Sequence, residues 1–261
     1  MNALLLTITL SWQLFRGTIG AKYRRSFLGY FWMVFPAIAI TGGISFASQS
    51  GVIRPGETQL PYPIFVFVGI LLWQVFVEAV DISHRAFDGA RSYLTKVNFS
   101  REAIILAQLY EALIITIVRL ALLLLLVALF GDGGWKASGV ITICFGGAVL
   151  LGLGIGALLM PFTMLFADLR HAVKLGLTYG VFITPAFYLP EESGMFSNLI
   201  LYSPITPLMT SARDAAAGVA LSQPGSLAAI LVLSIGFVVT GMAMVRLSAP
   251  IVIERMLIGG R

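Results

Sequence analysis

The sequence predicts an all-α membrane protein with about six transmembrane helices. An N-terminal amphipathic interfacial helix should precede them, and a re-entrant outer segment should lie between the fifth and sixth spans. Three observations lead there. Hydrophobic residues make up 58% of the chain and charged residues only 11%, whereas soluble domains carry about 25% charged residues. Mean hydropathy is +0.94. The apolar residues gather into runs near the length of about 20 that crosses a bilayer core. A soluble chain this apolar could not cover its own surface. At 261 residues one domain is expected, with 1–26 as the interfacial helix, 27–246 as the six-span bundle and 247–261 as a cytoplasmic tail.

At the N-terminus, Leu4, Ile8, Trp12, Phe15 and Ile19 recur at helical spacing. Thr7, Ser11 and Thr18 supply polar positions, and Arg16, Lys22, Arg24 and Arg25 follow. Leu6, Leu10 and Leu14 widen the apolar face, so a short spanning helix is the other reading. The basic end favours a helix lying beside anionic headgroups. The spans are expected at 27–48, 63–82, 103–130, 139–166, 173–189 and 226–246. The third is long enough to tilt or protrude. The fourth carries Gly146, Gly147, Gly152, Gly154 and Gly156, small residues that let helices approach closely in lipid. Pro161 should bend it near its end. The loop from Pro190 to Pro224 holds Ser203-Pro204-Ile205-Thr206-Pro207 and stays apolar. Such a segment can dip back into the membrane where protein or water satisfies its backbone.

Orientation follows from Lys and Arg. With the N-terminus inside, thirteen of the 17 fall on the cytoplasmic side, Arg54, Lys136 and Arg213 fall outside, and Arg119 lies within a span. That bias places both termini on the cytoplasmic side of the membrane. It also reads the net charge of +5 as membrane topology rather than nucleic-acid binding. Two cytoplasmic connections result, 83–102 and 166–174. Cys144 is the lone cysteine, so no intrachain disulfide and no cysteine metal cluster can form. No cleavable signal peptide is expected, because the first residues lack a basic stretch and a small-residue cleavage site.

The sequence holds no phosphate-binding loop, no H-E-x-x-H helix and no G-x-S-x-G elbow. His84 and His171 fall in predicted cytoplasmic loops, where both read as satisfied surface histidines. No catalytic residue, metal or cofactor is expected in the chain, which disfavours a membrane-embedded transferase. Glu78 and Asp81 lie near the inner end of the second span, and Glu111 and Arg119 lie in the third. An ionisable residue in mid-span costs roughly 2.5–3.5 kcal/mol on insertion scales. Glu111 and Arg119 share a helix face, but about 12 Å of rise keeps them from pairing directly. Two readings stand for this set. It forms a polar pathway, which would make the chain an ion-coupled secondary transporter or channel, or it pairs helices and fixes the bundle. Aromatic residues cluster as well: Phe27, Tyr30, Phe31, Trp32 and Phe35 in the first span, Trp73 and Phe76 in the second. Aromatic faces stack on the C–H faces of sugar rings. Composition alone favours an interfacial belt and lipid packing.

Several stretches, taken in order, resemble a known family. Ala21-Lys22-Tyr23-Arg24-Arg25-Ser26-Phe27-Leu28-Gly29-Tyr30-Phe31-Trp32 is similar to its basic segment leading into Leu-Gly-x-x-Trp. Leu60-Pro61-Tyr62-Pro63-Ile64-Phe65, then Gly69-Ile70-Leu71-Leu72-Trp73-Gln74, resembles its second span. Lys96-Val97-Asn98-Phe99-Ser100-Arg101-Glu102 resembles its cytoplasmic loop, with Ser100 where that family has proline. Asp168-Leu169-Arg170-His171 resembles its charged turn, with Ala167 where that family has arginine. Ser203-Pro204, Pro207 and Arg213-Asp214 resemble its outer region. The family is that of the type-2 permease subunits of ABC exporters for O-antigen, capsule and teichoic acid.

The resemblance implies a homodimer working with two ATP-binding cassette ATPase subunits, which would bind ATP and Mg on their own chains. It implies a polyprenyl-pyrophosphate-linked polysaccharide as cargo and the inner membrane of a bacterium as the location. Phe27, Tyr30, Phe31, Phe35, Trp73 and Phe76 would line the channel. Lys22, Arg24 and Arg25 would attract the lipid pyrophosphate, although positive-inside anchoring accounts for them equally well. Arg91, Lys96, Arg101, Glu102, Asp168, Arg170 and His171 would couple to the ATPases. Pro204, Pro207 and Arg213 would belong to an outer gate.

Overall fold

The computed structural model describes residues 3–23, 29–52, 56, 58–94, 101–131, 133–189 and 203–258, and among them no strand occurs. The helices are α1 (Ala3–Tyr23), α2 (Phe35–Gln49), α3 (Tyr62–Leu94), α4 (Arg101–Phe130), α5 (Gly134–Leu165), α6 (Ala167–Tyr179), α7 (Thr206–Ala216) and α8 (Pro224–Ile258). Short 3-10 segments occupy Gly29–Met33 and Gly180–Phe182. Among the described residues, four helices are long and apolar enough to cross a membrane: Tyr62–Arg85, Leu106–Phe130, Gly134–Leu165 and Pro224–Ser248.

The core is built on α3. Two thirds of its apolar window (67%) is buried, against 28% for α4 and 22% for α8, so α3 is the central helix and the other two present most of their surface outward. Val66, Val68, Leu71, Leu72 and Val80 are fully enclosed. α5 packs on α3 through two glycines one turn apart. A methyl on Gly152 would fall 2.6 Å from the Phe76 carbonyl, and one on Gly156 would fall 2.7 Å from that of Val80. On its other side, Gly154 meets the Phe237 backbone of α8 at 2.6 Å and Gly147 meets Leu231 at 2.8 Å by the same measure. Small residues let the three helices approach with their backbones nearly in contact, which dispersion forces reward in a lipid surround. Gly146, expected to serve likewise, has open space beside it.

These contacts fix direction. Residue numbers rise together along α3 and α5 and along α5 and α8, so the three helices run parallel. The chain must therefore return between each pair. α4 makes the first return: Gly131, just past its end, lies against Ala216, near the start of α3. The second return is made by α6, its 3-10 turn and the following bends. The segment leaves the end of α5 at Phe166 and reaches Phe187, whose carbonyl accepts a 2.9 Å hydrogen bond from Tyr62 at the opposite end of the bundle.

Four boundaries differ from expectation for identifiable reasons. Within the span expected at 27–48, the described residues form a 3-10 turn followed by a helix of only 15 residues, with Pro36 in its first turn. The span expected at 173–189 is a 13-residue helix that begins at Ala167 and gives way to 3-10 geometry at Gly180, ahead of Pro185. The loop expected from Ser83 begins as helix and stays helical to Leu94. The tail expected from 247 continues α8 to Ile258. α1 does form, and it packs against α4 with Phe15 and Ser11 buried. The rings of Trp12 and Phe15 lie 6.0 and 5.9 Å from Tyr110.

The glycine contacts are testable. Gly156→Val is expected to destabilise the bundle by about 1–3 kcal/mol through overpacking, read as a lower thermal midpoint in detergent. Gly146→Ala should leave the midpoint nearly unchanged. Equal midpoints for the two variants would contradict the close α3–α5 approach.

Candidate functional site

Polar side chains gather at the two ends of the bundle. At the end where α3 begins, Arg213 of α7 is buried and reaches three backbone carbonyls: Phe65 through Nε at 3.2 Å, Pro185 at 2.7 Å and Ala186 at 2.6 Å. Its guanidinium also lies 3.5 Å from the centre of the Phe65 ring, a cation–π contact strengthened by the absence of water. The planar fork matches this task, since carbonyls on two segments are met at once. Gly69 makes room for it: any Cβ there would overlap the Ala186 carbonyl and the Arg213 guanidinium. Next to it, the Asp214 carboxylate accepts hydrogen bonds from the Ser222 amide, at 2.8 Å, and hydroxyl. Gly218, at φ +71°, closes α7 in a left-handed cap that only glycine enters freely.

At the opposite end Arg85 meets three carboxylates. Its distances are 2.7 Å to Glu78, 2.9 Å to Asp81 and 3.8 Å to Glu111 of α4. One cation thus joins three acids on two helices. Beside it, His84 is buried rather than at the surface, because α3 continues past it. Thr163 donates to the Met160 carbonyl at 3.0 Å and contacts His84 Nδ1 at 3.0 Å, which ties α3 to α5. Arg119 lies about two helical turns beyond Glu111 on the same helix. It is buried in α4 and donates through Nε to the Met33 carbonyl at 3.1 Å.

The turn between α5 and α6 is a single extended residue. Phe166, at φ −126° and ψ 110°, ends one helix and caps the next. Asp168 lies in the first turn of α6, where a carboxylate favours the positive end of the helix dipole. Asp168, His171 and Lys174 are exposed and follow one another at three-residue spacing, so they share a face.

The aromatic residues divide. Phe31, Trp32 and Phe35 form an exposed cluster with ring centroids 5.3–6.4 Å apart. Phe76 is buried, and Trp73, 5.5 Å from it, lies against Gly180. Tyr30 falls in the first 3-10 segment. Phe27, Arg24, Arg25 and Lys96 lie outside the described residues. Lys22 is on α1, Arg91 on α3, and Arg101 and Glu102 open α4. Pro204 sits in an exposed turn, and Pro207 lies in the first turn of α7.

No protein-family model matches the chain. Over 200 residues it is 30% identical to RfbA, an O-antigen export system permease protein of Myxococcus xanthus, covering 73% of this chain and 74% of that protein. The chain belongs to the O-antigen export permease family.

In this permease the sequence reading missed Arg85, which it placed in a loop. The signal was present: Glu78 and Asp81 stand seven and four residues before Arg85, spacing that stacks all three on one helix face. Nothing local announces that Arg213 meets Phe65 and Gly69, which are far away in the chain. Its partners are backbone atoms, which no side-chain pattern marks.

Arg213→Gln should cost at least about 2 kcal/mol, because hydrogen bonds from charged donors are each worth about 1.5–3 kcal/mol. Gly69→Ala removes no bond and is nevertheless expected to lower the thermal midpoint of the purified permease in the same direction. An unchanged midpoint for Arg213→Gln would mean that this end is held by something else.

Proposed function

We propose that this permease forms the path by which a polyprenyl-pyrophosphate-linked polysaccharide of the O-antigen kind leaves the cytoplasm. The observation that carries the reading is the similarity to the Myxococcus xanthus export permease. Two copies would assemble with two ATP-binding cassette ATPases, which bind ATP and Mg and supply the energy. The chain would cross the bacterial inner membrane six times, with α2 and α6 as the short crossings and both termini in the cytoplasm. The distribution of basic residues supports that orientation. The Arg85 end would then face the cytoplasm and the Arg213 end the outside.

In this reading Phe31, Trp32 and Phe35, with Phe27 and Tyr30, offer stacking faces to the passing glycan. Stacking has little directionality and tolerates sliding. Lys22, Arg24 and Arg25 would attract the lipid pyrophosphate. The outer segment holding Pro204, Pro207 and α7 would dip into the membrane as a gate, with Arg213 as its anchor rather than its moving part. The ATPases would push on the 91–102 connection and on the turn after Phe166.

That last assignment gives the test. Exchanging charges with Asp168→Arg and Arg170→Asp together keeps the net charge and should keep insertion. Breaking a desolvated charge pair at an interface costs about 2–5 kcal/mol, so ATPase affinity should fall tenfold or more, with glycan export lost alongside it. Normal assembly and normal export by the exchanged protein would reduce the turn to a topological stop.

A further inference from the structure

Arg119 is an ionisable residue in the body of α4. It lies close to the middle of the Leu106–Phe130 span and is buried, 6% exposed. Its Nε donates to the carbonyl of Met33, the last residue of the first 3-10 segment. Helix geometry would pair that carbonyl with the Ala37 amide. Instead Ala37 donates to Val34 at 3.0 Å, as Ile38 does at 3.2 Å. Pro36 has no amide proton to offer Trp32. The junction between the 3-10 segment and α2 therefore carries backbone acceptors freed by a proline, deep in an apolar surround. A guanidinium gains nothing from the positive end of a helix dipole, whereas the Met33 carbonyl gives this one an acceptor.

Three rings ride on that junction. Phe31 and Trp32 precede Met33, Phe35 follows it, and all three are exposed and in mutual contact. Their common direction depends on the angle at which the 3-10 segment meets α2. We propose that Arg119 is the positioning residue of this aromatic surface. By holding the Met33 carbonyl it fixes the break before α2 and so sets the depth and direction in which Phe31, Trp32 and Phe35 are presented. The use of that surface by a glycan rests on the export reading; the positioning itself does not.

The experiment follows Trp32 alone. The full-length protein carries Trp12, Trp32, Trp73 and Trp135. Replacing the other three with phenylalanine leaves Trp32 as a reporter. A second background that keeps only Trp73 of α3, packed against Gly180, serves as control. Each is reconstituted into vesicles whose lipids carry bromine at defined depths. Emission and quenching are then recorded for the parent, Arg119→Lys and Arg119→Gln. Arg119→Gln should shift both the emission maximum of Trp32 and its depth profile, and leave Trp73 unmoved. Arg119→Lys, with one compact donor on a shorter reach, should shift Trp32 less and in the same direction. It carries the test if Arg119→Gln fails to insert. No shift of Trp32 in either variant would overturn the proposal. So would an equal shift of Trp73, which would make Arg119 a general support of the bundle. Neither glycan nor ATPase is present, so the result stands apart from the outcome for export.

Discussion

The fold depends on donors for carbonyls that a broken backbone leaves unpaired. After Phe182 the return segment is no longer helical, so the carbonyls of Pro185 and Ala186 have no helical amide to accept from. In an apolar surround water cannot replace it, and each orphan costs several kcal/mol. Arg213 answers both. It can do so because Gly69 leaves space on α3 and because Phe65 gives it a carbonyl and a ring face. Arg213 thus joins the broken return, the buried helix α7 and the start of α3, beside the bond from Tyr62 to the Phe187 carbonyl.

The two ends are tied by different chemistry. Neutral carbonyls surround Arg213, while Arg85 sits among three carboxylates. Between them run backbone contacts at Gly152, Gly154 and Gly156, which allow little change of distance without sliding. The middle of the bundle therefore resists separation, and relative motion of helices is easiest where packing is sparse. α2 and α6 fit that description: both are short, and most residues of α6 are exposed. They flank the exposed aromatic cluster and the charged turn after Phe166, the two features that the proposed export mechanism uses.

Much of this was legible in the sequence, and the remainder fails for physical reasons. Long apolar runs gave α3, α4, α5 and α8, because hydropathy reports transfer into lipid directly. Gly152, Gly154 and Gly156 were readable as close-approach positions, since small residues in a span have few other uses. The ends of α3 and α8 were not, because helices outrun the apolar window once polar residues find partners, as Arg85 does with Glu78 and Asp81. The short helices were misjudged because Pro36, Gly180 and Pro185 stop helix formation while the surrounding hydropathy stays high. The Arg213 site was out of reach: the family resemblance assigned it to an outer gate, and only the fold brings Phe65, Gly69 and Ala186 to it.

If this chain provides the path and another chain provides the energy, transfer must need both. Reconstitution tests that most directly. The permease and its ATPase are placed in proteoliposomes with a lipid-linked O-polysaccharide on the ATPase side, and its appearance on the far side is measured with a glycan-binding protein. The account predicts transfer that requires ATP and the ATPase and does not respond to a proton gradient. Transfer by the permease alone, driven by an imposed gradient and unaffected by ATP, would contradict it.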